Sequence, residues 1–217
     1  MKIEDRRKEG FVTNLIKWEK DNFRPFPWRK DTAPYRVFIA EVLLKRTTSK
    51  AADRVFNEFI EKFPDIKSLC NAEVEDIEEV LKPIGLYNQR GKGIKEAAQF
   101  IKEKYDGEFP GGLKEILDIP HIGPYTGGAI LSIGMGKAAP MVDSNVFRVV
   151  TRAFKNVLSE KPLQKEVVKL VEELLPEKDH EYFNWGLIDL GSLICTYRGC
   201  HKEDCPVKNF CNFYNED

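Results

Sequence analysis

The sequence predicts an all-helical protein, and three observations support this prediction. Apolar residues recur at the three- and four-residue spacing of helices through almost all of the 217 residues. No segment shows the sustained alternation of apolar and polar residues, bounded by hairpin turns, that is typical of strands. The connections between the periodic segments are short and contain proline or glycine, which is typical of closely packed helices.

The predicted helices follow one another along the chain, and several end where proline or glycine interrupts the apolar spacing. The segment FRPFPWRKDTAPY ends the first, PIGLYNQRG the fourth, YDGEFPGG the fifth and GKAAPMVD the seventh. In order, the predicted ranges are about 8–21, 35–46, 49–63, 73–82, 89–105, 113–117, 125–134, 143–154, 163–175 and 181–194.

The composition indicates a soluble globular protein, with 42% hydrophobic and 32% charged residues. No apolar run reaches the length of a signal-peptide core or a membrane span, so we expect a cytoplasmic protein without a membrane partner. The net charge is −1, but residues 1–50 are basic and residues 51–80 are acidic, with the cluster EVEDIEE. Both segments are typical of solvated helix surfaces, so charge alone predicts no partner.

A short break between two apolar runs, Pro120 to Pro124, lies in the segment ILDIPHIGPYTGGAILSIGMG. Glycine and proline are the commonest residues in turns between helices, and such a turn needs no function. A second interpretation is a clamp for a phosphate, because the helix that follows begins with unpaired backbone N–H groups and a partial positive charge. The turn alone does not decide between the two.

Asp143 stands 18 residues after Tyr125, at the start of the helical segment DSNVFRVVTR. An aspartate that opens a helix is ordinarily an N-cap. A carboxylate in that position can also stabilise a cationic transition state nearby, and the two roles are compatible.

Four of the five cysteines fall within the last 23 residues, at Cys195, Cys200, Cys205 and Cys211. In a chain without a secretory signal, such a concentration predicts ligands of a metal or cluster before it predicts disulfides. Cys70 stands apart in an amphipathic segment and is expected to be a small buried apolar residue.

These motifs, taken in their order, resemble the helix-hairpin-helix DNA glycosylases of the endonuclease III superfamily. The resemblance covers nearly the whole chain, through FPWRKDTAPYRVFIAEVLLKRTT, GLYNQRGKGIKEAAQFI, LDIPHIGPYTGGAILSIGMGKAAPMVDSNVFRVV, NWGLIDLGSLIC and the terminal cysteines. Each fragment is weak by itself, but their joint order is specific.

The resemblance implies two helical lobes with duplex DNA in the groove between them. One lobe, residues 27–138, would be a six-helix barrel that contains the helix-hairpin-helix motif. The other, residues 1–26 with 139–217, would be a helical domain with an iron-sulfur cluster at 195–211. It also implies a base excision repair enzyme that flips a mispaired or damaged base out of the duplex. We expect a monomer, associated with the nucleoid if the source is prokaryotic.

Several residues acquire expected DNA contacts from the resemblance. The hairpin would hold a phosphate through backbone N–H groups, and Lys45 and Arg46 would enter the gap left by the flipped base or contact the orphaned guanine. A nonspecific phosphate contact is the alternative for both cations. The full predicted DNA-binding set is Pro120, His121, Ile122, Gly123, Thr126, Lys45, Arg46, Asn88, Gln89, Arg90 and Arg148. The family usually has glycine at the position of His121. The histidine would either contact a phosphate or sugar of the DNA, or be an exposed turn residue.

The predicted catalytic residues are Asp143, Tyr125 and Glu41. Family members that also cut the DNA backbone carry a lysine nucleophile where this chain has Tyr125, and a phenol cannot form a Schiff base with the sugar. We therefore expect a monofunctional glycosylase in which water attacks, with Asp143 stabilising the sugar cation and helping to orient or deprotonate the water. Glu41 matches a glutamate of adenine-excising and some thymine-excising relatives. In the adenine enzymes this glutamate protonates the departing purine, whereas with a pyrimidine Glu41 would order water or contact the base.

Two substrates compete. The segments EVLLKRTT and GLYNQR and Tyr125 look like the mismatch-specific thymine glycosylases, which remove thymine or uracil opposite guanine. The segments TGGAILSIGMGK and VDSNV also resemble adenine glycosylases, but the long adenine enzymes carry a further C-terminal domain, for which the chain after the cysteines leaves no room. We favour thymine or uracil opposite guanine. A noncatalytic iron-sulfur protein that binds bent or mismatched duplex is the alternative from another class.

The cysteine spacing here is C-x4-C-x4-C-x5-C, whereas the family pattern is C-x6-C-x2-C-x5-C. The second cysteine is thus two residues early, and Lys202 stands at its usual place. Four thiolates still suffice for a four-iron four-sulfur cluster, which is the expected cofactor. Zinc is the alternative, although four-cysteine zinc sites usually contain close C-x2-C pairs.

Overall fold

The computed structural model describes residues 3–215, and its regular elements there are helices. The chain divides into two compact units, Met1–Phe23 with Ala138–Asp217, and Arg24–Lys137. The helices are α1 (Asp5–Asp21), α2 (Pro27–Lys30), α3 (Pro34–Leu44), α4 (Ser49–Lys62), α5 (Ile66–Asn71), α6 (Val74–Leu81), α7 (Tyr87–Tyr105), α8 (Leu113–Leu117), α9 (Pro124–Ala129), α10 (Ser144–Ala153), α11 (Gln164–Leu174), α12 (His180–Leu193) and α13 (Asn212–Asn215). The all-helical prediction is confirmed.

All ten predicted helices are present, but the short helices α2, α5 and α13 were not predicted. The signal for α5 was in the sequence, because Asp65 and Ser68 form a reciprocal capping box at its start. The predicted helix 125–134 is present as α9, which continues after Ala129 as a π-helical turn, Ile130–Gly134. Within the described residues, no helix combines the length and apolar character needed to cross a membrane.

The unit that contains both chain ends is built around α1, α10, α11 and α12. Phe11 and Phe154 are completely buried and meet edge to face, with ring centroids 4.9 Å apart. Arg7 crosses from α1 to the C-terminal segment, donating to the carbonyl of Phe210 at 2.9 Å and to the Asn212 side chain at 2.7 Å. The same guanidinium lies 5.0 Å from the centre of the Phe154 ring. Helix α1 therefore holds the C-terminal segment that carries the cysteines in place through Arg7.

The unit Arg24–Lys137 has its own apolar core. Its largest fully buried side chains come from four helices, α3 to α6: Phe38, Ile39, Leu43, Phe56, Phe59, Leu69, Ile77 and Leu81. Trp28 of the short helix α2 packs edge to face on Phe56, with centroids 5.5 Å apart. This packing explains why a four-residue helix forms at a proline-rich segment, since isolated helices of that length are unstable in water.

The π-helical turn packs closely against the start of α3, and this close approach requires a glycine at position 134. A Cβ at this position would lie 2.9 Å from the Cα of Pro34, the first residue of α3. We expect Gly134→Ala to lower the free energy of unfolding by about 1–3 kcal/mol, because the backbone of α3 must move to relieve the overlap. Urea unfolding measures this loss. Gly199→Ala is the control, since its Cβ would meet no atom within 4 Å, and an equal loss in both variants would contradict the explanation.

Candidate active site

Asp143 is the N-cap of α10, as its sequence context predicted. Its Oδ1 accepts hydrogen bonds from the backbone N–H groups of Asn145 and Val146, both at 2.8 Å, and the side chain is half-buried. Its Oδ2 accepts from Nδ2 of Asn145 at 3.0 Å. Both carboxylate oxygens are therefore fixed in direction by α10, and the positive end of that helix favours the negative charge.

Asn145 is in turn oriented by Arg148, one turn further along α10. The Asn145 Oδ1 accepts from Nη2 of Arg148 at 2.8 Å. The same guanidinium donates to the carbonyls of Gly191 at 2.6 Å and Cys195 at 2.8 Å, at the end of α12. A chain of hydrogen bonds thus connects Asp143 with the first cysteine of the C-terminal segment.

The segment that leads into Asp143 is held by Asn184 of α12, which is completely buried. Its Oδ1 accepts from the N–H of Met141 at 3.2 Å, and its Nδ2 donates to the carbonyl of Ala139 at 2.9 Å. Because α10 and α12 both contribute, the position of Asp143 is set by tertiary contacts on either side.

The predicted hairpin joins α8 to α9 in the other unit. Ile122 is buried and its N–H donates to the carbonyl of Ile119 at 3.2 Å, which closes the turn. Gly123 is the N-cap of α9. Because glycine has no side chain, it offers no oxygen to cap the first backbone N–H groups of the helix. Pro120, Tyr125 and Thr126 are half-buried around the turn, and Tyr125 is the second residue of α9.

His121 has a positive φ of 66°, in the left-handed region where the family usually places glycine. Its Nε2 lies 2.5 Å from Oε2 of Glu96, and its ring lies over Gly93 of α7. A Cβ on Gly93 would be 3.2 Å from the ring. The side chain of His121 is therefore exposed to solvent on one side and contacts Glu96 and Gly93 of α7 on the other.

Glu41 is half-buried on α3, and Lys45 and Arg46 follow the end of that helix with exposed side chains. Lys45 has φ −60° and ψ 114°, Arg46 has φ 57°, and the N–H of Thr47 donates to the carbonyl of Leu44 at 3.2 Å. These values describe a type II turn with arginine at the position that favours glycine. A strained, exposed cation of this kind indicates a functional turn.

A second strained turn precedes α7. Leu86 has φ 53° and leaves 47% of its surface exposed, and the exposed side chains of Tyr87, Asn88 and Gln89 follow it. An exposed leucine in the left-handed region is unusual, because the conformation is costly and nearly half of this apolar residue faces solvent. Leu86 was missed in the sequence; its only signal there was an apolar residue directly after a turn glycine.

Two arginines that were predicted to contact DNA are bonded to the backbone of the fold. Arg90 is buried, and its guanidinium donates to backbone carbonyls at the end of α3, so it is not available to a phosphate. Arg148 is half-buried, and its Nε and Nη2 donate to Cys195, Gly191 and Asn145, whereas its Nη1 has only a 3.5 Å contact with the carbonyl of Ser144. Both arginines support the fold next to predicted site residues.

The four C-terminal cysteines lie close enough to influence one another. Cys195 and Cys200 face each other across an isolated antiparallel bridge. Burial, together with the neighbouring cysteines, raises the pKa of Cys205 to about 12, and the same causes raise the pKa values of Cys200 and Cys211. Arg152 donates to Sγ of Cys195 at 3.3 Å. As placed, no three His, Cys, Asp or Glu side chains among residues 3–215 are arranged to hold a metal ion.

The chain is similar to known DNA repair proteins. A family model described as the HhH-GPD superfamily base excision DNA repair protein matches residues 39–177. The chain is 32% identical to the thymine/uracil-DNA glycosylase of Methanothermobacter thermautotrophicus, over 98% of this chain and 96% of that relative. It is 35% identical to the adenine DNA glycosylase of Buchnera aphidicola subsp. Acyrthosiphon pisum, over 93% of this chain but only 58% of that relative.

Among solved structures, that of a thermostable thymine-DNA glycosylase superposes with a TM-score of 0.91 at 32% identity, over 98% of this chain and 99% of that one. The family model covers more than half of the chain, and the resemblance found in the sequence is confirmed. The chain belongs to the HhH-GPD superfamily of base excision DNA repair proteins.

Proposed function

We propose that this protein is a monofunctional DNA glycosylase that hydrolyses the N-glycosidic bond of thymine or uracil mispaired with guanine. The observation that carries the proposal is Asp143, a carboxylate with both oxygens held in place at the start of α10. The thymine/uracil relative from Methanothermobacter supports the substrate, because its match extends over nearly the full length of both chains.

In the proposed reaction, the bond between the base and C1′ of the sugar breaks, and the sugar develops positive charge. Asp143 would stabilise that charge and orient the attacking water, which is the effect expected of a fixed carboxylate beside a cationic transition state. Tyr125 offers no amine for a covalent bond to the sugar, so water is the nucleophile. Glu41 would contact the departing base or order water beside it.

The proposed partner is duplex DNA with a mispaired or damaged base. Lys45, Arg46 and Leu86 occupy two exposed, strained turns of one unit, and we assign them to the gap left by the flipped base. An apolar wedge and cationic side chains are the groups that proteins insert into an opened base step. In the hairpin Pro120 to Gly123, the backbone N–H groups of His121 and Gly123 would hold a phosphate, because Pro120 has none and that of Ile122 is bonded to Ile119. We also assign the unit Arg24–Lys137 to the six-helix barrel that the family resemblance implies.

A second candidate is adenine excision opposite guanine or 8-oxoguanine. It is favoured by the 35% identity with the adenine relative from Buchnera, although the chain spans little more than half of that relative's length.

A panel of G:T, G:U, A:G and A:8-oxoguanine duplexes separates these functions. We expect single-turnover release of thymine and uracil and little release of adenine. Release from the adenine-containing duplexes alone would overturn the substrate assignment. Tight binding to all four duplexes without release of any base would support the noncatalytic alternative.

We further propose a four-iron four-sulfur cluster held by Cys195, Cys200, Cys205 and Cys211. The chemistry of the donor set fits, because burial and neighbouring cysteines raise the pKa values of Cys200, Cys205 and Cys211, and thiols of this kind need a positive centre before they can ionise together. When bound, such a cluster would supply a covalent cross-link of the C-terminal segment. The cysteines would then hold the segment whose carbonyl at Cys195 receives the Arg148 guanidinium.

Cys200→Ser tests whether the displaced second cysteine is a ligand. We expect the purified variant to lose most of its iron and acid-labile sulfide, because one of four thiolate ligands is removed. Cys70→Ser is the matched control, since Cys70 lies in the other unit and should leave iron content unchanged. Full iron content in the Cys200 variant would exclude it as a ligand, and zinc in place of iron in the unaltered protein would exclude the cluster.

A further inference from the structure

Arg90, near the start of α7, has an unusual set of partners for a charged residue. Only 6% of its surface is exposed, and its charged guanidinium donates to four backbone carbonyl oxygens. Three of them, from Val42, Leu43 and Lys45, are at the end of α3, and the fourth belongs to Gly85. Burial lowers the pKa of Arg90 from its ordinary value. The negative end of the α3 dipole compensates part of this cost.

The contact with Lys45 determines the conformation of the turn after α3. A type II turn differs from a type I turn mainly in the orientation of its central peptide group, whose carbonyl here belongs to Lys45. Nη2 of Arg90 donates to that carbonyl at 2.5 Å and so stabilises the type II orientation. Arg46 must then adopt its positive φ, and the direction of its exposed side chain follows from that backbone.

Arg90 also contacts the second strained turn. Its Nε donates to the carbonyl of Gly85 at 3.1 Å, and its backbone N–H donates to the carbonyl of Leu86 at 2.9 Å. The first bond fixes the peptide that precedes Leu86, whereas the second is the backbone bond that begins α7, with Leu86 as its N-cap. One side chain therefore holds both exposed turns, which are separated by about 40 residues in the sequence.

We propose that Arg90 is a positioning residue that fixes the 44–47 and 85–87 turns relative to one another, so that Arg46 and Leu86 enter the same opened base step. The inference rests on the proposed function, because it assigns to Arg90 the preparation of the duplex for base flipping. It requires no contact between Arg90 and DNA. The fork of an arginine is needed, since a lysine ammonium is compact and cannot reach all four carbonyls together.

The test compares uracil opposite guanine with uracil opposite an abasic site, in otherwise identical duplexes. In the second duplex the target has no pairing partner, so opening the step needs less help from the two turns. We expect Arg90→Lys to lower the single-turnover rate on G:U on the order of 10- to 100-fold. Its rate on the abasic-paired uracil should remain close to that of the unaltered protein. Equal losses on both duplexes, or no loss on either, would overturn the proposal.

Lys95→Met is the matched control. Lys95 lies on the same helix and also binds terminal carbonyls, those of Leu69, Cys70 and Ala72 at 3.1, 2.7 and 2.6 Å, but these belong to α5. We expect it to lose stability without changing the ratio of the two excision rates. A changed ratio in this variant would also overturn the proposal, because it would show a general effect of loosening α7.

Hydrogen exchange separates this inference from the proposed function. Arg90→Lys should speed exchange of the amides at 45–47 and 86–88, and Lys95→Met should not. If the unaltered protein releases no base from either duplex, the proposed function fails, and the exchange result still decides whether Arg90 fixes the two turns. Unchanged exchange at both turns in Arg90→Lys would contradict the inference whatever the activity.

Discussion

Asp143→Asn is expected to abolish base release, with a loss of roughly 10³-fold or more in the single-turnover rate. The variant removes the negative charge that would stabilise the sugar cation but keeps the shape of the side chain. Asparagine is as good an N-cap as aspartate, so α10 should keep its start and the protein its stability. Affinity for a G:T duplex should change little, because the proposed phosphate contacts lie elsewhere in the chain.

Asp65→Asn is the control for this prediction. Asp65 is also an N-cap, at the start of α5, where its side chain accepts from the N–H of Ser68 at 2.7 Å. The same chemical change there should leave excision unaltered. Retention of excision in Asp143→Asn would show that the carboxylate acts only as a cap, and the catalytic assignment would be wrong.

Arg148→Met is expected to lower both stability and excision. The methionine leaves the carbonyls of Gly191 and Cys195 without their donor, which should cost about 1–3 kcal/mol of unfolding free energy. It also frees Asn145, whose Nδ2 helps to fix Oδ2 of Asp143. Since small displacements of a catalytic group are costly, we expect excision to fall by about 10- to 100-fold.

The salt dependence of DNA binding decides between this role and a phosphate contact. If Arg148 acts through Asn145, the slope of log affinity against log salt should stay the same in Arg148→Met. A slope reduced by about one, with normal excision at saturating DNA, would restore the DNA contact predicted from the sequence. A double variant with Asn145→Ala should lose little more than either single variant, because the two residues belong to one hydrogen-bonded chain.

The longer helices could be predicted from the sequence because each buries one face, which leaves a periodic apolar pattern. The short helices α2 and α5 were missed because they contain too few residues to show a period, although a capping box marks the start of α5. Asp143 was recognisable as an N-cap because capping is local: its acceptors bind N–H groups two and three residues away. The hairpin was recognisable for the same reason.

What the sequence did not reveal was which partners the buried cations use. Arg90 and Arg148 were predicted to contact DNA, but the carbonyls that they bind at the ends of α3 and α12 lie more than 40 residues away in the chain. The positive φ angles of Arg46 and Leu86 were equally invisible, since neither residue is glycine or asparagine. Those conformations are held by tertiary hydrogen bonds, and a single sequence does not encode them in any local pattern.

The central claim is that the chain removes a mispaired pyrimidine by hydrolysis and leaves the DNA backbone intact. Incubation of the protein with a G:T duplex, followed by chromatography for free base and by strand analysis before and after alkali, tests it most directly. We predict that free thymine and abasic sites form in equal amounts. The strand should break at the abasic site only after alkali treatment. Intact thymine after prolonged incubation with excess protein, or strand breaks before alkali, would contradict the account.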